Sequence, residues 1–338
     1  MRRSDAPVAR PIAPRSWMAI ALPVACFWMP ASLAQQGGVP RVHDPSVIRR
    51  GDTYTLFSTG RGVPIKKSGD LIRWEDAGRV FPEAEGMPEW AAREIPGAQT
   101  LWAPDISLFA GEYHLYYSVS TFGSQRSCIG LATNKTLDAA SKDYRWLDRG
   151  KVIDSRPGRD DFNAIDPNVA LDDQGTPWLA FGSFWGGIKM VRLDPRTGLR
   201  AAEGGDIRPL ASRPPPDAIE APFIVRKGDF YYLFVSFDYC CRGAKSDYNI
   251  VVGRSKEIAG PYADRDGKPM TEGGGTPVLA GYGRVRGPGH NAVLLRAEGD
   301  ILVHHYYDAD EAGAVKLQVR SLRWAKDGWP IAGEPLGK

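Results

Sequence analysis

Three short acidic motifs recur along the chain, and each of them opens an apolar run of residues. The motifs are His43-Asp44-Pro45-Ser46, Ile165-Asp166-Pro167-Asn168 and Ile219-Glu220-Ala221-Pro222. A fourth segment, Trp102-Ala103-Pro104-Asp105, lies between the first two and places Asp105 61 residues from both Asp44 and Asp166. Carboxyl groups that converge from several repeats can cleave a glycosidic bond, because one acid protonates the leaving group while another activates water.

The three acids have different neighbours, which predicts different roles for them. Glu220 lies among apolar residues, so desolvation is expected to raise its pKa and to keep it protonated as a general acid. Asp44 lies beside His43 and Ser46, whose hydrogen bonds are expected to keep it ionised as the base that activates water. Asp166 is expected to hold the acid in place and to tune its proton affinity. The alternative is that Asp-Pro pairs only form turns, but their recurrence favours catalysis.

The elements that must position these acids are five β-rich units, at residues 43–81, 102–153, 163–200, 219–268 and 287–331. Gly-Asp and Gly-Glu steps mark hairpins inside the units, and a tryptophan four residues before a glycine recurs near unit ends. Repeats of this length, without helical periodicity, predict an all-β fold, a five-bladed β-propeller, as one catalytic domain over residues 35–338.

In a propeller the first strand of each blade lines the central channel, so residues at the strand starts converge. The proline that follows Asp44 and Asp166 is expected to hold both acids in an extended conformation at the beginning of a strand. The equal spacing of 61 residues is interpreted as the blade period, which places Asp105 in register with the two acids.

The first 34 residues have the features of a signal peptide. Four arginines precede an apolar stretch from Trp17 to Pro30, and Ala31-Ser32-Leu33-Ala34 offers small residues for cleavage. Cleavage leaves 39 lysines and arginines against 39 aspartates and glutamates, a balance that argues against nucleic-acid binding. The sequence predicts a secreted or periplasmic monomer with no membrane segment after cleavage.

Three cysteines remain after that cleavage: Cys128, Cys240 and Cys241. This number is too small for a disulfide scaffold. In an oxidising compartment the adjacent Cys240 and Cys241 could form a vicinal disulfide, and two buried thiols are the alternative.

The ordered motifs resemble those of glycoside hydrolase family 43, and especially its arabinanases, over nearly all of the mature chain. Besides the acidic motifs, the resemblance rests on Trp102-Ala103-Pro104-Asp105, Phe181-Gly182-Ser183-Phe184-Trp185, Cys240-Cys241-Arg242-Gly243 and Gly287-Pro288-Gly289-His290-Asn291-Ala292-Val293. It implies a five-bladed propeller and an inverting mechanism with Asp44 as general base, Asp166 as pKa modulator and Glu220 as general acid. The implied substrate is α-1,5-linked arabinan, a neutral polymer of pectin side chains.

Further site residues follow from the resemblance. Trp102 and Phe122 are expected to stack on sugar rings, although Phe122 could equally be ordinary packing. Asn168 and Ser183 are expected to hydrogen-bond sugar hydroxyls, with local capping as the alternative. His290 matches the position of the acids in the fifth unit, where the family carries calcium or a similar ion bound by a histidine and water. No organic cofactor is expected.

Two more residues are placed by the same comparison. Asp105 is not one of the three catalytic acids of the family, so a structural role is expected for it. Arg242 follows the paired cysteines and either reaches the acid site or lies on the surface.

The function predicted from these motifs is endo-acting hydrolysis of arabinan. An exo-acting arabinanase, an α-L-arabinofuranosidase or a β-xylosidase would use the same three acids and remains an alternative. A non-catalytic propeller that binds carbohydrate is a remote alternative, because it would not need all three acids.

Overall fold

The computed structural model describes residues 39–82 and 86–337, which form five four-stranded antiparallel sheets. In each sheet the four strands follow one another in chain order, so every blade is built from one continuous segment. The first strand of each blade contacts that of the next, and the ring closes between blades five and one. The predicted all-β, five-bladed β-propeller is confirmed. The predicted signal peptide, residues 1–34, lies outside the described residues.

The strands are numbered in chain order, four to a blade. Blades one and two contain β1 (Ser46–Arg50), β2 (Thr53–Phe57), β3 (Pro64–Ser68), β4 (Glu75–Arg79), β5 (Trp102–Phe109), β6 (Glu112–Val119), β7 (Ser127–Asn134) and β8 (Leu147–Ser155). Blade three contains β9 (Asn168–Leu171), β10 (Pro177–Phe181), β11 (Ile188–Arg192) and β12 (Arg208–Ala211). Blades four and five contain β13 (Ile219–Lys227), β14 (Phe230–Phe237), β15 (Asn249–Ser255), β16 (Thr276–Leu279), β17 (Val285–Leu294), β18 (Ile301–Asp308), β19 (Ala314–Trp324) and β20 (Pro330–Pro335).

Helices are few and short in the part of the chain that the structure describes. One α-helix, α1 (Glu89–Glu94), links blades one and two, and single 3-10 turns occur at Gly243–Lys245, Met270–Glu272 and Ala309–Glu311. Within the described ranges, no helix has the length and apolar character needed to cross a membrane.

The middle strands of the blades are apolar on both faces because neighbouring blades cover both. The strand β14, for example, is buried along almost its whole length. Leu233 packs with side chains of blade three, whereas its neighbour Phe234 points the other way and packs with blade five. The core therefore consists of the layers between blades, and burial of these side chains is the main stabilising contribution.

The predicted units are too short in blades three and four. They ended at residues 200 and 268, whereas the outermost strands are β12 (Arg208–Ala211) and β16 (Thr276–Leu279). Each of these strands has only four residues, of which β12 buries two and β16 none, so each carries too little apolar pattern to be recognised.

One residue near the start of each inner strand has a left-handed backbone conformation. The five residues are Asp44, Ala103, Asp166, Ala221 and His290, with φ of 52°, 43°, 58°, 56° and 48°. The prediction that proline holds Asp44 and Asp166 extended is therefore wrong. In blades two, four and five the residue also lies within a shift of strand register, which turns its N–H out of the blade.

The N–H groups of these five residues bond to side chains of the preceding blade. The pairs are Asp44 with His305 Nδ1 (3.1 Å), Ala103 with Thr59 Oγ1 (2.7 Å), Asp166 with Ser118 Oγ (2.9 Å), Ala221 with Asp166 Oδ2 (3.2 Å) and His290 with Ser236 Oγ (2.9 Å). We call this cycle the bulge ring. It satisfies donors that the strand ladders leave unpaired, and this gain outweighs the preference that proline imposes on the residue before it.

The bulge ring also corrects the interpretation of the 61-residue spacing. Ala103, not Asp105, is the counterpart of Asp44 and Asp166, so the intervals between matched residues are unequal. The equal spacing of the three aspartates is therefore not the blade period.

Asp105 lies two residues after Ala103, and its side chain connects three blades through hydrogen bonds. Its carboxylate is buried and accepts hydrogen bonds from Ser46 Oγ (3.3 Å), Asn168 Nδ2 (3.2 Å) and the N–H of Val169 (2.8 Å). Burial raises the pKa of Asp105 to about 7, although the three hydrogen bonds oppose the rise. The structural role expected for Asp105 agrees with these contacts.

Substitution of Asp105 by alanine is expected to destabilise the propeller by about 2–4 kcal/mol, because it leaves buried donors without an acceptor. Urea unfolding followed by tryptophan fluorescence measures this loss. Asp52→Ala is the matched control, since the Asp52 side chain is fully exposed and its loss is expected to change stability by less than about 0.5 kcal/mol. Equal midpoints for the two variants would contradict the inter-blade role.

Candidate active site

A pocket of about 670 Å³ opens where the inner strands begin, and residues from all five blades line it. Asp44, Asp166 and Glu220, the three acids singled out by the sequence, all face this pocket. They come from blades one, three and four, so the propeller brings together groups that are far apart in the chain.

Asp44 is the most strongly held of the three acids. His43 Nδ1 donates to its Oδ2 at 2.7 Å, Thr59 Oγ1 donates to the same oxygen, and His290 Nδ1 lies 3.2 Å from Oδ1. Burial alone would raise the pKa of Asp44, but the surrounding histidines lower it well below its usual range. The expectation that His43 keeps Asp44 ionised is confirmed. Ser46 does not contribute, because its hydroxyl donates to Asp105.

His43 is in turn contacted by Tyr307, which also binds the loop that contains Cys240 and Cys241. Its Nε2 lies 2.8 Å from the hydroxyl of Tyr307, which accepts the N–H of Cys241 at 2.9 Å. The ring of His43 also stacks on His305 at a centroid distance of 4.1 Å. Cys240 and Cys241 form a disulfide, which decides between the two states that the sequence left open.

Glu220 is positioned by two hydroxyl groups. Ser183 Oγ donates to Oε2 and Tyr248 OH donates to Oε1, both at 2.7 Å. Burial raises the pKa of Glu220, while these two hydrogen bonds oppose the rise and Asp44 adds to it. The predicted direction of the shift is confirmed. Ser183 lines the pocket as expected, but its hydroxyl is directed at Glu220, which makes it a positioning residue for that acid.

Asp166 interacts electrostatically with both of the other acids. Its Oδ2 accepts the N–H of Ala221, the residue that follows Glu220, at 3.2 Å. Burial raises the pKa of Asp166 well above its usual range, and the negative charges of Glu220 and Asp44 raise it further. Asp166 is thus placed where its protonation state affects both partners.

Aromatic side chains form the upper walls of the pocket. Trp102 and Phe122 both line it, as expected, and Phe122 is 83% exposed. Trp185, which no prediction named, is also a lining residue and is 37% exposed. Arg242 reaches the pocket and stacks on Tyr239 at 3.7 Å, so it does not lie on a remote surface. Exposed aromatic faces around buried acids suit the apolar faces of sugar rings.

The prediction that Asn168 contacts substrate needs correction. Asn168 is 2% exposed and lies beneath the pocket, outside its lining. Its Nδ2 donates to Asp105, and its Oδ1 accepts the N–H of Ile224 at 2.8 Å. Because both ends of the amide are engaged between blades, Asn168 connects blades two, three and four.

His290 faces the pocket beside Asp44, but the protein groups around it do not chelate calcium by themselves. The described residues contain two clusters with three nearby metal-ligand atoms, and His290 belongs to neither. Its neighbour Asn291 is buried, and neither amide atom has a partner among the described residues. An ion at His290 would have to take most of its ligands from water, and its presence stays a prediction.

Several site residues were not predicted from the acidic motifs. Thr59, Tyr248 and Tyr307 contact the acids or His43, but they lie on second strands or loops far from the acidic motifs. The pattern at residues 304–307, His-His-Tyr-Tyr, was a usable hint, since alternation along β18 places His305 and Tyr307 on one face.

Known proteins are similar to this chain in both sequence and fold. A family model described as Glycosyl hydrolases family 43 matches residues 39–330. The chain belongs to glycosyl hydrolase family 43. It is 44% identical over 339 residues to an extracellular exo-α-(1→5)-L-arabinofuranosidase of Cellvibrio japonicus, covering 97% of this chain and 95% of the relative. It is 42% identical over 295 residues to an extracellular endo-α-(1→5)-L-arabinanase of Bacillus subtilis, covering 86% and 87%.

A solved structure extends this likeness to three dimensions. The α-L-arabinanase of Cellvibrio cellulosa, solved in complex with arabinohexaose, matches with a TM-score of 0.84 and 44% identity, over 87% of this chain and 96% of that one. Family 43 membership makes this protein a glycoside hydrolase, so the non-catalytic alternative is set aside.

Proposed function

We propose that this glycoside hydrolase cleaves α-1,5-L-arabinofuranosidic bonds in arabinan with inversion of configuration. The observation that carries the proposal is the convergence of Asp44, Asp166 and Glu220 in one aromatic-walled pocket with unlike proton affinities. The names of the family 43 relatives, arabinanases and an arabinofuranosidase, support the substrate class.

In this proposal each acid has a separate task. Glu220, protonated because burial raises its pKa, gives its proton to the glycosidic oxygen as the bond breaks. Asp44, kept ionised by its histidines, takes a proton from the water that attacks the opposite face of the sugar. Asp166 holds the backbone beside Glu220 through the N–H of Ala221, and its own raised pKa couples its protonation to that of the acid.

The mode of action is proposed to be endo, with exo action as the second candidate. The Bacillus subtilis relative supports endo cleavage, and the name of the Cellvibrio japonicus relative favours exo cleavage. Linear arabinan distinguishes them when viscosity and early products are followed together. Endo action is expected to lower viscosity quickly and to give a ladder of oligosaccharides. One short product with slow viscosity loss would establish exo action, and no release of sugar would refute the proposed function.

Secretion, the signal peptide and the monomeric state are proposed as well. The extracellular relatives support export. Expression of the full chain in a bacterial host, followed by N-terminal sequencing of the exported protein, tests cleavage after residue 34, and light scattering tests the monomer.

A calcium ion held by His290 and water is proposed on the family resemblance, and it would supply positive charge near Asp44. Loss of thermal stability on dialysis against a chelator, absent in His290→Ala, tests it.

Removal of the Phe122 ring is expected to raise KM for arabinan about fivefold, with kcat little changed. A stacked sugar ring gains about 1 kcal/mol from an exposed aromatic face, and alanine cannot provide it. Steady-state kinetics of Phe122→Ala on linear arabinan measure the effect. Leu108→Ala is the control, since Leu108 is an exposed apolar residue that does not line the pocket. An unchanged KM would show that Phe122 takes no part in binding.

A further inference from the structure

The loop with Cys240 and Cys241 forms part of the pocket rim beside His43. Cys241 is exposed, and its Sγ lies 3.8 Å from Nε2 of His43. One ligand atom from each of these three residues lies within 4.8 Å of the other two. The proposed hydrolysis uses neither sulfur atom, so the cluster is available for other chemistry.

His43 already has the hydrogen bond that a metal-bound histidine usually needs. Its Nδ1 donates to Oδ2 of Asp44 at 2.7 Å, which leaves Nε2 as the nitrogen that faces Cys241 and the hydroxyl of Tyr307. A carboxylate on the distal nitrogen fixes the tautomer and the orientation of a metal-bound imidazole and makes it a better ligand. Asp44 therefore prepares His43 to bind a cation through Nε2.

We propose that the reduced chain binds one Zn²⁺ or Cd²⁺ ion through Cys240 Sγ, Cys241 Sγ and His43 Nε2. Reduction by a phosphine adds two electrons and two protons to the disulfide and gives two thiols, while the phosphine takes oxygen from water and becomes a phosphine oxide. Metal binding then releases the two thiol protons and forms two metal–sulfur bonds and one metal–nitrogen bond. Pocket water completes the tetrahedron that both ions accept.

The distances suit such a site once the disulfide is open. Zinc–sulfur bonds of about 2.3 Å and zinc–nitrogen bonds of about 2.0 Å place sulfur and nitrogen about 3.5 Å apart in a tetrahedral site. The present separation of Nε2 and Cys241 Sγ is 3.8 Å, so this pair needs little movement. The two sulfur atoms must move apart, which rotation of the freed side chains allows.

Metal binding would change the contacts of His43, the histidine that holds Asp44. The ion competes with Tyr307, whose hydroxyl now lies 2.8 Å from Nε2 and accepts the N–H of Cys241. It would also occupy the rim of the pocket in which arabinan is proposed to bind. We expect the oxidised chain to be insensitive to low concentrations of these ions and the reduced chain to lose activity with one bound ion.

Cadmium titration of the full chain tests the site without relying on activity. The protein is reduced with a phosphine, freed of reductant under argon and titrated with Cd²⁺, while the thiolate-to-cadmium absorption band in the ultraviolet is recorded. The expected result is a band that saturates at one Cd²⁺ per chain, with no band in the oxidised chain. Circular dichroism confirms that the reduced chain is folded. A folded, reduced chain without the band would overturn the proposal.

Three controls separate this site from other thiols and acids. The Cys240→Ser/Cys241→Ser variant is expected to lose the band, and Cys128→Ser, which removes a buried free thiol, is expected to keep it. His43→Gln is expected to bind Cd²⁺ about tenfold or more weakly. Alkylation of the two thiols in the reduced wild-type chain must also abolish the band, which covers the case in which the double variant does not fold. A band that survives alkylation, or that is unchanged in His43→Gln, would refute the ligand set.

Discussion

Glu220→Gln is expected to lower kcat on linear arabinan by about 10²- to 10⁴-fold, because glutamine keeps the size of the side chain and can still accept one of the two hydrogen bonds from Ser183 and Tyr248, but cannot give a proton to the glycosidic oxygen. The loss is expected to be much smaller on an aryl arabinofuranoside, since a nitrophenolate leaves without protonation. Steady-state kinetics on both substrates measure this contrast. Glu89→Gln, at an exposed helix position, is the matched control and is expected to retain full activity.

The pH profile gives a second test of the same assignment. Because burial raises the pKa of Glu220, the protonated form persists above the usual range of a glutamate, and activity is expected to fall as pH rises through that raised pKa. Glu220→Gln should lack this alkaline limb on the aryl substrate. An equal loss on both substrates, or an alkaline limb that persists in the variant, would contradict the role of Glu220 as the general acid.

The catalytic acids could be found from sequence because each lies in a short motif at a strand start. Asp44, Asp166 and Glu220 are flanked by proline or alanine-proline, and the apolar run that follows each one marks the inner strand. Their contrasting pKa directions were also predictable, since His43, the chain neighbour of Asp44, contacts its carboxylate, and burial raises the pKa of Glu220 as its apolar motif indicated.

Two partners of these acids could not be found from the motifs, because they lie on loops elsewhere in the same blades. Thr59 follows β2 in the blade of Asp44, and Tyr248 precedes β15 in the blade of Glu220, so only the folding of each blade brings them to their acids. For Asn168 the error is the opposite one, since a residue outside the pocket was predicted to contact substrate. Its position in an acidic motif suggested contact with substrate, but its side chain points between blades, where it meets Asp105.

Local rules of backbone preference failed at the strand starts for a physical reason. Proline disfavours the left-handed conformation seen at Asp44 and Asp166, and sequence reasoning follows that preference. Each turned residue, however, gains a hydrogen bond from its N–H to the blade before it, and five such bonds form a closed cycle. This gain depends on the assembled ring and has no counterpart in any short stretch of sequence.

Asp44→Asn is expected to lower kcat by about 10²- to 10⁴-fold on arabinan and on the aryl arabinofuranoside alike, with KM little changed. Asparagine cannot take a proton from the attacking water, and both substrates need that step. The equal loss distinguishes this variant from Glu220→Gln. Asp52→Asn is the control, because Asp52 lies in the same blade with a fully exposed side chain.

Rescue of activity by azide distinguishes a variant that lacks only the catalytic base from one whose active site is damaged. The azide ion attacks without deprotonation, so it is expected to restore cleavage of the aryl substrate by Asp44→Asn and to give an arabinosyl azide of inverted configuration. Glu220→Gln, in which the base is intact, should gain little from it on arabinan. A thermal unfolding scan shows whether the network of His43, Thr59 and His290 tolerates the asparagine. A folded Asp44→Asn variant with near-normal activity, or an azide product of retained configuration, would rule out Asp44 as the base of an inverting reaction.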